Sequence, residues 1–288
     1  MYTTGNSLTM RTIGKTDMGK KLVTQMLPAI NRINWTGEEE ATAAGHQVFA
    51  VGVDQVDGFR GNPKLLGAAL RTFQTANSLP FTYAGVAYTL VAASREADGS
   101  YDENGLQAAL DWLEKAQELA PDIVDINFIE ALVYVYGGRY QDARIVLDYL
   151  REAAFENYYL YRAEMAFWRR QGKLEEALEW SEKAMQAADT VPQRLRVKSR
   201  MGEMYLESGD EDKALETYRE AIHFDPKNAE LHHKASLIYW QRENYEEANR
   251  FNRKALSLQP DFPEAQQLRA LLDEHVQSSG LMGRLFGS

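Results

Sequence analysis

Residues 195–262 carry one 34-residue pattern twice. Tyr205, Ala214, Ala221 and Pro226 recur 34 positions later as Tyr239, Ala248, Ala255 and Pro260. A fixed period of this length belongs to stacked-repeat architectures, in which each repeat buries its apolar side only against its neighbours. Within 195–228, small and apolar residues recur three and four apart on either side of Gly209-Asp210, which is helical spacing. Gly209 fits the end of one helix and Pro226 the end of the next. Each repeat therefore reads as two antiparallel helices. Gly202 and Ala214 mark the close approach within a pair and Ala221 the approach to the following pair. A bulky side chain at Ala214 is expected to be costly, because overpacking strains a filled core.

The order of these residues resembles the tetratricopeptide repeat: a small residue and an aromatic in the first helix, A-x3-aromatic-x2-A in the second, then Pro. The pattern extends upstream. Residues 158–193 carry Trp168, Gly172, Ala177, Ala184 and Pro192, with an excess at Ala188-Asp189-Thr190-Val191. Residues 124–157 carry Ala131, Tyr134, Gly138, Tyr140 and Ala143. They depart at Leu150, where a second Ala is expected, so a looser contact with the next repeat is implied there. In 81–121, Gly85 and Tyr88 suit a first helix, and Ala109, Leu113, Ala116 and Pro121 a second. The segment between them, Arg95 to Asn104, is rich in Asp, Glu, Gly and Ser and reads as a surface loop. Ala69, Phe73 and Ala76 before Pro80 suit a further second helix, its first helix falling at about 38–56.

The resemblance implies an all-α, right-handed α-solenoid of stacked antiparallel helix pairs with a C-terminal capping helix. The expected pairs are about 38–79, 81–121, 124–157, 158–193, 195–228 and 229–262, within a solenoid spanning 37–277. A cap helix at 263–277 has a polar outer face, as the last repeat of a solenoid needs. Residues 1–36 are a basic, partly disordered leader or an N-terminal helix, and 278–288 an apolar tail.

The net charge of −10 is unevenly spread: residues 1–36 hold Arg11, Lys15, Lys20, Lys21 and Arg32 against Asp17 alone. The body is thus strongly acidic, which argues against nucleic acid as a ligand, since phosphate contacts need clustered cations. With no Cys there is no disulfide, thiol nucleophile or thiolate zinc site. No 18-residue apolar run is present, and Met1 to Ser7 lacks the features of a signal peptide, so a cytoplasmic protein is expected. The phosphate-loop, dinucleotide, zinc-protease and nucleophile-elbow motifs are all absent. The five histidines form no ligand motif; His232 and His233, being adjacent, point to different helical faces. No catalytic residue, metal or cofactor is expected.

In the family it resembles, the first helices line a concave groove. The groove residues this implies are Phe128, Leu132 and Tyr136; Tyr159, Arg162, Arg169 and Arg170; Arg196; and His233 and Trp240. Phe128, Tyr136 and Tyr159 make an aromatic wall beside the arginines Arg162, Arg169, Arg170 and Arg196. Arginine with aromatics is the composition of interface hot spots, and arginine grips carboxylates bidentately. The expectation is a scaffold, adaptor or assembly factor whose groove takes a partner protein or peptide, acidic or presenting its C-terminus. Competing readings are aromatics that only pack between helices, and Arg169 and Arg170 that only pair with Glu203 and Glu207. Leu132, Ala166 and Glu203 stand where a two-carboxylate clamp would need Asn, which argues against chaperone tails as ligands. The alternative functions are a homo-oligomeric structural subunit, or a regulatory or chaperone subunit for one enzyme or secreted client. The tail residues Leu281, Met282, Arg284, Leu285 and Phe286 are candidates for docking on the solenoid, on another copy or on a membrane surface.

Overall fold

The computed structural model describes residues 17–59, 63–96, 98–153 and 156–286, for 277–286 the backbone alone. The first part of the leader, Arg60-Gly61-Asn62 and the side chains of Leu281, Met282, Arg284, Leu285 and Phe286 lie outside the described residues. Among the described residues there are fourteen helices and two isolated bridges. A first compact unit, Met1–Ala187, holds α1 (Met18–Arg32) and four pairs. These are α2 (Ala43–Asp57) with α3 (Pro63–Gln74), α4 (Leu79–Ala93) with α5 (Glu103–Leu119), α6 (Asn127–Tyr136) with α7 (Tyr140–Glu152), and α8 (Tyr158–Arg170) with α9 (Leu174–Gln186). A second unit, Ala188–Ser288, holds α10 (Val191–Glu207) with α11 (Glu211–Phe224), α12 (Ala229–Gln241) with α13 (Tyr245–Leu258), and α14 (Pro263–Phe286). The fold class is all-α, built of stacked helix pairs.

One backbone device closes four of the first helices. The carbonyls of Tyr134, Trp168, Tyr205 and Tyr239 accept from the N–H of Arg139, Lys173, Asp210 and Asn244 at 2.8, 3.1, 2.8 and 2.9 Å. Such a six-to-one bond needs a left-handed residue just past the helix end. Gly138, Gly172 and Gly209 supply it with φ of 74°, 75° and 82°; Glu243 takes the same place at φ 56°, where a side chain is strained. The periodic aromatic of the sequence is thus also the residue whose carbonyl ends its helix. The second helices begin on Asp210 and Asn244, whose side chains accept from the N–H of Lys213 and Glu247.

The helix α2 starts at Ala43, later than the 38–56 spacing implies. Thr42 caps it, accepting from the Gly45 N–H at 3.0 Å. Residues 38–40 run instead alongside 77–79: the Leu79 N–H donates to the Glu38 carbonyl at 2.7 Å, and the Ser78 hydroxyl to that of Glu40 at 2.7 Å. The segment between α4 and α5 is more than a surface loop. Its Glu96 carboxylate accepts from the N–H groups of Gly19 and Lys20, both at 2.8 Å, so it caps α1 at the positive end of the helix dipole. At the other end of the chain the α14 backbone runs unbroken to Phe286, since no proline interrupts it. Residues 278–286 therefore continue the cap helix.

In the first unit α4 is buried nearly all round and packs against α1, α2, α3, α5 and α6, as its uniformly apolar sequence requires. The Phe73 ring of α3 wedges between Gly52 of α2 and Gly85 of α4. A Cβ at those glycines would lie 2.2 and 2.3 Å from ring carbons. Phe73 is itself fully buried, so the ring has nowhere to go. Gly85→Ala is expected to destabilise the first unit by about 1–3 kcal/mol. The measurement is the urea midpoint, with Gly85→Ala/Phe73→Leu recovering part of the loss; a midpoint unchanged by Gly85→Ala would refute the wedge. In the second unit Gly202 of α10 meets the Tyr218 ring of α11 in the same way, 2.5 Å from an added Cβ, and Ala214 is fully buried.

Candidate functional site

The first helices α2, α4, α6 and α8 contact one another in series along one side of the first unit. Helix α2 carries two charged residues, Asp54 and Asp57, which share a face one turn apart. Arg162 of α8 reaches back to Asp57, Nη1 to Oδ2 at 3.4 Å, with both side chains out of solvent. The Tyr88 hydroxyl of α4 donates to the other Asp57 oxygen, and the Arg162 guanidinium lies 5.2 Å from the Tyr88 ring centroid. Phe128 stacks on Tyr159 at 4.7 Å and meets Tyr88 edge-on at 5.7 Å. At the rim His46 of α2 lies 3.7 Å from the Asp125 carboxylate.

The electrostatics follow from this closure. Burial works to lower the pKa of Arg162, but Asp57 and the tyrosines Tyr88, Tyr158 and Tyr136 outweigh it and hold the guanidinium charged. Burial, then Asp54 and Asp57, push the Tyr159 hydroxyl well above its ordinary value, so it remains a neutral donor. This part of the inner face is therefore a packed ionic core. Phe128 and Leu132 are 0% exposed and Arg162 is 2% exposed, so none of the three is open to a partner here. Their side chains were expected to line a groove. The helices instead close over them: Asp57 gives Arg162 an internal partner, and Phe128 packs between Tyr88 and Tyr159.

Toward the ends of α6 and α8 the side chains are less buried. Tyr136 of α6 stacks face to face on Tyr101 at 4.1 Å with an interplanar angle of 6°. The Arg170 guanidinium lies 5.3 and 5.6 Å from the two ring centroids and donates to the Gly99 carbonyl at 2.8 Å. Tyr101, Tyr136, Tyr159, Arg169 and Arg170 are all half-buried. The first unit thus brings Tyr136 and Arg170 together on a ledge. Arg196, His233 and Trp240 belong to the second unit. There Arg196 is half-buried, His233 is buried against Phe262 at 5.0 Å, and Trp240 meets Tyr245 and His275 edge-on. Lys234 of α12 bonds Ser199 and Glu203 of α10 at 3.0 and 2.8 Å, tying those two first helices together.

The sequence reading missed Asp54, Asp57 and Tyr101. The signal for the aspartates was present, as the acidic pair on a helix with no other carboxylate, lysine or arginine. Tyr101 lies in the segment between helices, where no periodicity points to it. No cluster of three or more His, Asp or Glu suited to a metal ion occurs among the described residues, and no helix there is long and apolar enough to cross a membrane.

Residues 156–227 and 205–272 match two family profiles, each described as tetratricopeptide repeat. The photosystem I assembly protein Ycf3 of Prochlorococcus marinus strain NATL1A is 33% identical over 87 residues, 30% of this chain and 50% of that protein. Its counterpart in strain SARG is 33% identical over 84 residues, 29% and 49% of the two chains. The chain spans about half the length of the curated relatives it matches. Among solved structures, Pseudomonas aeruginosa pilF superposes with a TM-score of 0.54 at 17% identity, over 73% of this chain and 93% of that one. The Cut9–Hcn1 hetero-tetramer of the APC/C gives 0.56 at 13% identity, over 88% and 46%. These two likenesses concern the fold. The helix closures at Trp168, Tyr205 and Tyr239 fall within the matched segments, and residues 156–272 are similar to tetratricopeptide repeats.

Proposed function

We propose that the chain is an adaptor or assembly factor that binds a partner protein on the ledge formed by Tyr101, Tyr136 and Arg170, with Arg169 next to Arg170 on α8. The observation that carries this reading is the Tyr101–Tyr136 stack with Arg170 against both rings. Stacking holds the rings in place before a partner arrives, so little side-chain freedom remains to be lost on binding. Tyrosine and arginine are also the residues from which interfaces draw most of their energy. A role in assembly is in keeping with the similarity to Ycf3, itself described as an assembly protein.

The test is capture from native lysate with wild type beside Tyr136→Ala/Arg169→Glu/Arg170→Glu, circular dichroism showing both folded. A stoichiometric partner should be lost, its affinity falling by about 2 kcal/mol or more. The same partner held equally by both proteins would remove the ledge from the binding surface.

A further inference from the structure

We propose that α1 is a latch for the ledge: its docking fixes the turn that presents Gly99 and Tyr101 to Arg170 and Tyr136. The turn is anchored on two sides. On one, the Glu96 carboxylate accepts from the Gly19 and Lys20 N–H groups of α1, both at 2.8 Å. Asp17, just before the helix, makes no side-chain bond to it, so the cap comes from Glu96, 77 residues beyond Gly19. On the other, the Gly99 carbonyl accepts from Arg170 at 2.8 Å, and Tyr101 stacks on Tyr136. The backbone between the two anchors is tied to itself. The Glu96 N–H donates to the Ser100 carbonyl at 2.9 Å, the Gly99 N–H to the Glu96 carbonyl at 3.1 Å, and the Asp102 N–H to the Ser94 carbonyl at 2.8 Å. Glu96, Gly99 and Tyr101 therefore move as one body.

The packing at the base of the turn leaves no slack. A Cβ on Gly19 would lie 2.5 Å from the Ser94 carbonyl oxygen, and one on Gly105 would lie 2.1 Å from Ser94 Oγ and 2.7 Å from Val23 Cγ2. Helix α1, Ser94 and the start of α5 are thus in direct contact. Yet α1 itself is lightly held. Of its fifteen residues only Gly19, Leu22, Val23 and Ile30 are buried, whereas α4 is buried nearly all round. An element with so little buried surface opens at a lower free energy than the core it rests on. When α1 opens, Glu96 loses both N–H partners and the turn loses one of its two anchors. The coupling is reciprocal, so whatever binds and orders the ledge also holds α1 down. The coupling is a property of the chain without a partner; only its effect on partner binding rests on the ledge reading.

The test is hydrogen exchange of the full chain, read by mass spectrometry with no partner present. Ile30→Ala removes a buried side chain at the far end of α1, about 16 Å along the helix from Gly19. Exchange should rise about tenfold or more in α1 and in peptides covering Gly99 to Asp102, with α7 unchanged. In Glu96→Ala the turn should already exchange faster, and adding Ile30→Ala should change it no further, because the link is cut. From the other end, Arg170→Ala should speed exchange at Gly19 and Lys20. If Ile30→Ala does not fold, Arg170→Ala decides, since Arg170 is half-buried. Faster exchange in α1 alone, the same effect of Ile30→Ala with and without Glu96, or a uniform rise through the first unit would overturn the latch. A partner that binds wild type and ignores the ledge variants would remove the ledge reading and leave the exchange result standing.

Discussion

Asp57→Ala is expected to destabilise the first unit by about 3–5 kcal/mol, the range seen when one partner of a buried ion pair is removed. The reason is the enclosure of Arg162, which is 2% exposed and stays charged. Without Asp57 a guanidinium remains in a nearly dry site, and desolvating a charge without a counter-charge is among the largest penalties in a fold. Tyr88→Phe should cost less, about 1–2 kcal/mol, because it removes one hydrogen bond to a charged group. Arg162→Met/Asp57→Leu should return most of the lost stability, since an apolar pair of similar size needs no water. Urea unfolding followed by tryptophan fluorescence checks all three, because Trp35, Trp112, Trp168 and Trp180 lie in the first unit. A double variant no more stable than Asp57→Ala would show that the pair is not the source of the loss.

In the second unit stability should fall as pH drops from about 6.5 to 4, by up to about 3 kcal/mol from His233 alone. Burial pulls its pKa down to about 4, with the Asn252 side chain and Glu230 working the other way and Lys234 adding to the depression. Above the unfolded value near 6.5 the imidazole is neutral in both states and favours neither. Between 6.5 and 4 the unfolded chain takes up a proton that the folded chain refuses, so the stability present at neutral pH is progressively lost. Below about 4 both states are protonated and the loss is complete. His233→Gln should flatten this slope. Urea denaturation by circular dichroism at several pH values measures the difference between the two proteins. A difference that stays constant from pH 7 to 4 would exclude His233 as the titrating group.

The two predictions rest on residues that looked alike in the sequence. Arg162 and His233 both fall on first helices, where the repeat pattern predicts an accessible side chain. The same expectation covers Arg170, eight residues after Arg162, which is half-buried. Periodicity identifies the helix face a residue occupies, and the three share that property. It does not say what stands opposite that face. Arg162 is enclosed because Asp57, 105 residues earlier, meets it across the stack.

What the sequence determined by itself is the local grammar. The 34-residue period, the glycines past three of the first helices and the small residues at close approaches are requirements of backbone geometry and interhelical distance, each tied to a position in the repeat. What the tertiary structure decided is which polar side chains found partners within the chain. The Asp57–Arg162 core, the Tyr101–Tyr136 stack with Arg170, and the Glu96 cap on α1 all join segments far apart in the sequence. Such contacts depend on how neighbouring pairs pack, and side chains of the same type can be core or surface depending on that packing. The helix pairs were therefore legible from spacing, while the candidate binding surface emerged only once the buried arginines and tyrosines could be told from the half-buried ones.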